Sequence, residues 1–281
     1  MLTLPLTLNY GSPVNWQHPL NRGLVSWYKV LPLRAGGGRW VDIANVNHLT
    51  LTGMGASSAT SGWGATARLG GAGEVRFDGT NDYAEQTAGQ RLPRGALLPF
   101  TLAGWVKPTT LVNGAVMFGF GELEAGTIEE QRYVIRFTSH IYFWGANADV
   151  EASATDYTVG VWQMVTVTFD GTTVLLYKNA PPALATVAPT GSLNGTPSRR
   201  IVFGKKGAAQ AWQAYYTGAL DSIHIWNRAL SASEVSLLYR EEQKAASALL
   251  NYLALPFGAD PTYRPWAHGG FDQRFAPLLA Q

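Results

Sequence analysis

The chain has no cysteine. That excludes disulfide frameworks, thiolate metal centres and cysteine nucleophiles, while a cytosolic origin and export without disulfides both stay open. Charge is sparse: Asp, Glu, Lys and Arg make up 14% of the residues and the net charge is +2. Acids and bases are mixed along the chain with no basic stripe or tail, so nucleic acid is not an expected partner. No apolar run approaches a membrane span, so no membrane is expected either. The opening Met1-Leu-Thr-Leu-Pro-Leu-Thr-Leu-Asn-Tyr-Gly11 has no basic residue before its apolar part and no Ala-x-Ala site, and does not read as a signal peptide.

Catalytic signatures are missing too. Gly-x-Ser-x-Gly does not occur, and the histidines (His18, His48, His140, His224 and His268) show no His-x-x-x-His spacing. Glu122, Glu124, Glu129 and Glu130 lie in a Gly-flanked stretch and read as solvated surface. The expectation is a protein that is not an enzyme.

What is present is glycine, aromatic residues and period-two alternation. Hydrophobic residues at 46% are ample for a core, and 10 Trp, 12 Tyr and 11 Phe exceed what one core needs. Leu24-Val-Ser-Trp-Tyr28, Glu74-Val-Arg-Phe-Asp78, Phe100-Thr-Leu-Ala-Gly-Trp-Val-Lys-Pro108, Trp162-Gln-Met-Val-Thr-Val-Thr-Phe-Asp-Gly171, Thr173-Val-Leu-Leu-Tyr-Lys-Asn179 and Ile201-Val-Phe-Gly204 read as strands. Residues 116–120 and 133–137 look like a pair, and 141–144 follows. Residues 41–64 are rich in Gly, Ser and Thr and read as a surface excursion. Residues 220–226 alternate, with Asp221, Ile223 and Ile225 on one face and Leu220, Ser222, His224 and Trp226 on the other. Ser231 followed by Glu234 is a capping box that opens a helix over about 231–253, which Pro256 stops. Many short strands with Gly-rich turns predict an all-β protein. The expected form is a two-sheet antiparallel jelly-roll sandwich with a C-terminal helix and extended terminal arms. The organisation expected is an N-terminal arm at 1–20, the sandwich at 21–240, and the end of the helix with a tail at 241–281.

These segments, with Phe77-Asp-Gly79, Asp82-Tyr83, Tyr177-Lys-Asn179 and residues 218–235, resemble the laminin-G-like, concanavalin-A-like jelly roll across roughly 21–240. The resemblance implies two curved antiparallel sheets, a frequent Ca²⁺ site at the sandwich rim, and frequent glycan or protein binding. One departure is Asn179-Ala180, where the family usually has Asn-Gly; the hairpin there must be built differently, because Ala resists positive φ. Glucanases of this fold usually carry Glu-x-Asp-x-x-Glu on one strand, and that string is absent here. The fold hosts lectins, glycosidases, adhesion modules and virion proteins, so it does not choose the function.

The turn Asp78-Gly-Thr-Asn-Asp82 offers several oxygens within a few residues, so Asp78, Asn81 and Asp82 are candidate Ca²⁺ ligands; Asx-turns explain the same residues. Asp221 resembles the family's recurrent Asp and is their candidate partner. Tyr142, Trp144, Trp212, Tyr215 and Tyr216 form a candidate sugar platform, with core or subunit packing as the alternative. Leu4, Leu6 and Leu8 alternate in a segment suited to adding a strand, and Trp266, Phe271 and Phe275 belong to an aperiodic apolar tail at 256–281; both are candidate assembly elements, with packing on the chain's own sandwich as the alternative. The leading functional reading is a non-enzymatic structural or decoration protein of a bacterial virus particle, on capsid or tail. It would assemble with copies of itself and with a capsid or tail protein, and would take a surface glycan. The alternative is an extracellular carbohydrate-binding or adhesion module, and the third reading is a glycoside hydrolase.

Overall fold

The computed structural model describes residues 14–30, 37–44, 46–54, 58–64, 73–95, 97–110, 112–121, 131–137, 140–145, 149–152, 158–187, 200–205 and 214–254. A 3-10 turn, Pro19–Asn21, precedes β1 (Leu24–Tyr28). Then come β2 (Arg39–Trp40), β3 (Leu49–Thr52), β4 (Gly62–Gly64), β5 (Glu74–Asp78), β6 (Tyr83–Gln86), β7 (Phe100–Pro108) and β8 (Ala115–Gly121). They are followed by β9 (Gln131–Phe137), β10 (His140–Trp144), β11 (Val150–Glu151), β12 (Gln163–Phe169), β13 (Val174–Lys178), β14 (Ala185–Val187), β15 (Ile201–Phe203), β16 (Thr217–Trp226) and the helix α1 (Ala232–Ala254).

The strands form two sheets. The first runs β14-β13-β12-β7-β16-β5-β4, with β1 also on β16; the second runs β11-β10-β9-β8-β15-β6-β3-β2. The ladders that build both sheets are antiparallel, and the fold is the expected jelly-roll sandwich with one C-terminal helix. The stretch 41–64, expected to wander, contributes the short strands β3 and β4.

Alternation decides the core. Leu102 and Val106 of β7, Val165, Val167 and Phe169 of β12, and Ile223 and Ile225 of β16 meet Phe118 and Phe120 of β8, Ile141 and Phe143 of β10, and Ile201 and Phe203 of β15. Phe100 sits 5.9 Å from Phe120, 5.8 Å from Phe143 and 5.6 Å from Phe169, ring to ring. Gly104 keeps this layer thin: a Cβ there would stand 2.3 Å from Ile223 Cδ1 and 3.0 Å from the Phe118 ring. Each buried large side chain of this kind is worth about 1.5–3 kcal/mol before ordering costs.

β16 departs from simple alternation. Its first half, 217–220, pairs with β5, and its second half, 223–226, pairs with β1. At the handover Ser222 is left-handed (φ 47), and the ladder to β7 shifts register between Asp221 and His224. Two residues oppose one, which is a β-bulge. The bulge corrects the face assignment made from strict alternation. Leu220, Ile223 and Ile225 enter the core together, while Asp221 stands opposite Trp105 on the outer face with His224 and Trp226.

The 178–182 hairpin also departs from the family's Asn-Gly pattern as expected. Asn179 itself takes the positive φ (63), accepts the Met164 amide on Oδ1 at 3.0 Å and donates its own amide to Met164 O at 2.7 Å.

Candidate binding face

A sandwich has two outer faces, and here they differ. The outer face of the first sheet is sealed. α1 lays Val235 and Leu238 on it, and Val14, Leu20 and Leu24 come from the N-terminal side, all packed with Trp27, Trp105, Met164, Tyr177 and Trp226. Tyr239 stacks on Trp105 at 5.5 Å, and Trp226 Nε1 donates to Leu20 O at 2.6 Å. Residues 14–20 of the N-terminal arm therefore lie within this layer.

The helix starts where the capping box places it. Ser231 Oγ accepts the Glu234 amide at 3.3 Å, and Glu234 accepts the Ser231 amide at 2.9 Å. Arg228 adds an ion pair at 2.7 Å. Burial pushes the Glu234 carboxyl up, but the hydrogen bonds from Arg228 and Ser231 outweigh it and hold the group below its ordinary pKa.

The outer face of the second sheet is built by register. Arg39, Thr50, Glu85, Val202, Gly119, position 133 and Trp144 lie in one cross-strand row through β2, β3, β6, β15, β8, β9 and β10. At about 4.8 Å between strands the row is roughly 29 Å long. β8 turns Phe118 and Phe120 inward, so Gly119 and Gly121 lie on the outer side, where both are buried. Val116, Trp144 and Val202 cluster there, with Tyr142 packed against them. On one side Glu85 takes Lys205 at 2.9 Å and Arg200 at 4.0 Å, and Lys205 lies 4.6 Å over the Tyr83 ring. On the other side the Tyr142 hydroxyl donates to Asp149 Oδ2 at 2.8 Å, Gly145 N–H donates to Asp149 Oδ1 at 3.0 Å, and His140 meets Glu151 at 3.8 Å. Burial first, and then the Asp149 carboxylate, raise the pKa of the Tyr142 hydroxyl.

This face brings together part of the expected sugar platform. Tyr142 is half-buried, while Trp144 is only 5% exposed and offers little ring area. Tyr215 is half-buried beside Ala214, which bridges to Ala115 of β8. Tyr216 is corrected to the core: it is buried, its ring lies 6.1 Å from Phe77, and its hydroxyl donates to Ala219 O at 3.2 Å. Trp212, Leu4, Leu6, Leu8, Trp266, Phe271 and Phe275 lie outside the described residues.

The turn 78–82 links β5 in the first sheet to β6 in the second. Asp78 Oδ1 accepts the amides of Thr80 at 2.7 Å and Asn81 at 3.3 Å, an Asx-turn. Gly79 takes φ 79. Asp82 is buried, and its Oδ2 accepts the Asp78 amide at 3.0 Å. Burial raises the Asp82 pKa against the pull of Ser61 and that amide. Asp221 is not near this turn. Asp78 pairs with Thr217. Asp221 lies four residues further along β16, roughly 13 Å away at a strand's rise. Its Oδ1 accepts the Val30 amide at 3.3 Å and so pins the β5-to-β1 handover. Among the described residues no group of three or more His, Asp or Glu converges on a metal position. Asp78, Asn81, Asp82 and Asp221 do not fit a Ca²⁺ shell, which needs six or more oxygens around one point.

Sequence reading missed a second polar pin. Asp42, buried, accepts the amides of Trp27 at 2.9 Å, Ala44 at 3.0 Å and Asn47 at 3.2 Å. Asn47 in turn bonds Ser26 Oγ at 2.8 Å and both backbone groups of Gln90. Burial raises the Asp42 pKa, and the three amides oppose it. The available signal was the Asx-rich run Asp42 to Asn47 beside a first strand. The Glu85–Lys205 pair was also missed, although both residues flank apolar strand segments.

An antiparallel sandwich closed by a strand, a turn and a capped helix, with one sealed face and one built of aromatic and charged rows, defines a lectin-like jelly roll. Residues 78–236 match the model of the concanavalin A-like lectin/glucanases superfamily of laminin-G type, and the chain belongs to that family. No curated protein matches the sequence. Among solved structures it is similar to domain 4 of an extracellular arabinanase from Geobacillus stearothermophilus in complex with arabinotriose, at TM-score 0.57 and 16% identity, covering 77% of this chain and 98% of that one. The binding domain of Paraclostridial Mosquitocidal Protein 1 gives TM-score 0.57 and 16% identity over 80% of this chain and 53% of that one. Trypanosoma rangeli sialidase in complex with sialic acid gives 0.56 and 15% over 80% of this chain, which spans only 34% of the sialidase. At these identities the likeness establishes the fold.

Proposed function

We propose that the chain is a non-enzymatic glycan-binding module whose ligand lies on the outer face of the second sheet. The observation that carries this is the asymmetry of the faces: the first sheet is covered by α1 and residues 14–24, whereas the second has a buried centre of Val116, Gly119, Trp144 and Val202 and presents Tyr142, the Glu85–Lys205 pair and Arg39 at its margins. Sugar rings stack on aromatic faces and bond to fixed polar groups, and this face has both. The likeness to an arabinanase domain holding arabinotriose supports the ligand class. A non-catalytic role is supported by the state of the carboxylates described on this face. Glu85 is engaged by two cations, Asp149 by Tyr142 and Gly145, and Glu151 by His140. The test is calorimetric titration with arabinotriose, sialyllactose and a β-glucan tetrasaccharide. Binding to one of them that falls at least tenfold in Tyr142→Ala supports the reading; reducing-sugar release by the purified chain overturns the non-catalytic part.

A second reading rests on the apolar composition of residues 256–281, which include Trp266, Phe271 and Phe275. On that reading the module is carried on a virus particle, and the tail attaches it to copies of itself or to a capsid or tail protein. Deleting 256–281 is expected to leave a folded sandwich and to abolish attachment; unchanged copy number on particles overturns it.

A further inference from the structure

His224 occupies an unusual position under α1. It is 3% exposed and stacks on Trp27 at 4.8 Å and on Trp226 at 5.0 Å. Its Nδ1 lies 2.8 Å from Ser222 O, and its Nε2 lies 3.7 Å from Oε1 of Glu242, a helix residue with no exposure. Lys29 at the end of β1 places Nζ 3.8 Å from the other Glu242 oxygen and 5.3 Å over the Trp27 ring. A carbonyl oxygen only accepts, so Nδ1 carries a proton. If Nε2 held a lone pair, it would face a carboxylate oxygen across a buried gap, and both would repel. A proton on Nε2 removes that conflict. It turns the contact into an ion pair and sets an imidazolium between two indole faces, where a cation is favoured.

We propose that α1 is a proton-dependent latch, held on the first sheet by one proton that His224 carries against Glu242. Among the described residues, other charged and titratable groups at this seam come from the strands, the N-terminal segment and α1. Lys29 directly follows β1, and β16 supplies Asp221, committed to the Val30 amide. α1 also carries Glu241, which faces His18 of the N-terminal segment; burial lowers the His18 pKa and Glu241 opposes the shift.

The sign follows from linkage. A free histidine titrates near 6.5, so above about pH 6.5 a detached His224 loses its proton while the docked one keeps it. Each detachment then releases one proton. Docking is at full strength below about pH 6.5, and its opening equilibrium rises about tenfold per pH unit above that until the docked histidine itself titrates. The helix covers Trp27, Trp105 and Trp226, so opening changes tryptophan emission as well as amide protection.

The experiment uses the full chain from pH 5.5 to 9. Hydrogen exchange of the 235–243 amides reports opening, and long-range ¹H–¹⁵N spectra report the His224 ring. Expected are two protonated ring nitrogens persisting beyond pH 7, and opening that rises about tenfold per unit. Glu242→Gln is expected to flatten the pH dependence, because the Gln amide donates to a neutral Nε2. Lys29→Met is expected to keep the slope. A wild-type opening equilibrium flat above pH 6.5, a bare Nε2 at pH 6.5, or an unchanged slope in Glu242→Gln overturns the latch. The ring spectra are read on the wild-type chain, so the test survives a variant that fails to fold.

Discussion

The two outer faces of this sandwich are made from the same strand periodicity but end differently. On the first sheet the outward positions are Trp27, Trp105, Tyr177 and Trp226, too apolar to leave wet, and α1 with residues 14–24 covers them. On the second sheet the outward row mixes Arg39, Thr50, Glu85, Val202, Gly119 and Trp144, and Glu85 pairs with Lys205 beside it. One face consumes its aromatic residues in stability. The other holds Tyr142 half-exposed and ties its hydroxyl to Asp149. Among the described residues, the aromatic side chains of the two outer faces are therefore placed differently.

The sharpest break of this comparison is Leu238→Asp. Leu238 has no exposure in the sealed layer, and a buried carboxylate there is expected to cost about 3 kcal/mol or more, read as a lower urea midpoint. Tyr142→Ala on the other face is expected to cost under about 1 kcal/mol while weakening glycan binding at least tenfold.

A smaller effect tests how the helix is started. Glu234→Ala should cost about 1 kcal/mol, since it removes the capping-box partner. The Glu234 pKa is depressed, so its contribution is present above the unfolded value near 4.3 and is lost as pH falls through the folded one. Wild type and variant should converge in acid melts.

Asp82→Asn should be neutral or stabilise by about 1 kcal/mol at pH 7, because Asn keeps an acceptor for the Asp78 amide and removes a buried charge. The Asp82 pKa is raised, so the native state binds the proton more tightly and wild-type stability falls as pH rises above the unfolded value near 3.9. The advantage of Asn should vanish below about pH 4. Smallest of all is the expected response to calcium: melts with chelator and with millimolar Ca²⁺ should coincide within about 1 °C, because Asp221 stands apart from Asp78, Asn81 and Asp82.

The strands that form the core were legible because alternation and turn chemistry act locally. Phe100–Pro108 and the Asp170-Gly171 turn appear where expected, the latter with Asp170 Oδ1 accepting the Thr172 and Thr173 amides. The capping box at Ser231 was legible for the same reason. The site was less so. One left-handed residue, Ser222, flips the faces of β16, and no pattern of side chains announces it. The row from Arg39 to Trp144 gathers residues from seven strands by register alone, so neither its members nor its polarity can be read along the chain. Tyr215 and Tyr216 are neighbours in sequence just before β16, yet Tyr215 is half-buried while Tyr216 enters the core.

The central claim is that the second sheet's outer face binds glycan while the first sheet's is structural. Backbone amide shifts of the ¹⁵N-labelled chain, titrated with arabinotriose, sialyllactose and a β-glucan tetrasaccharide, test it most directly. The account predicts saturable shifts at 83–86, 116–121, 140–145 and 200–205, with 231–243 unmoved. Shifts confined to α1 or to the 78–82 turn, or no shifts with any of the three sugars, would contradict it.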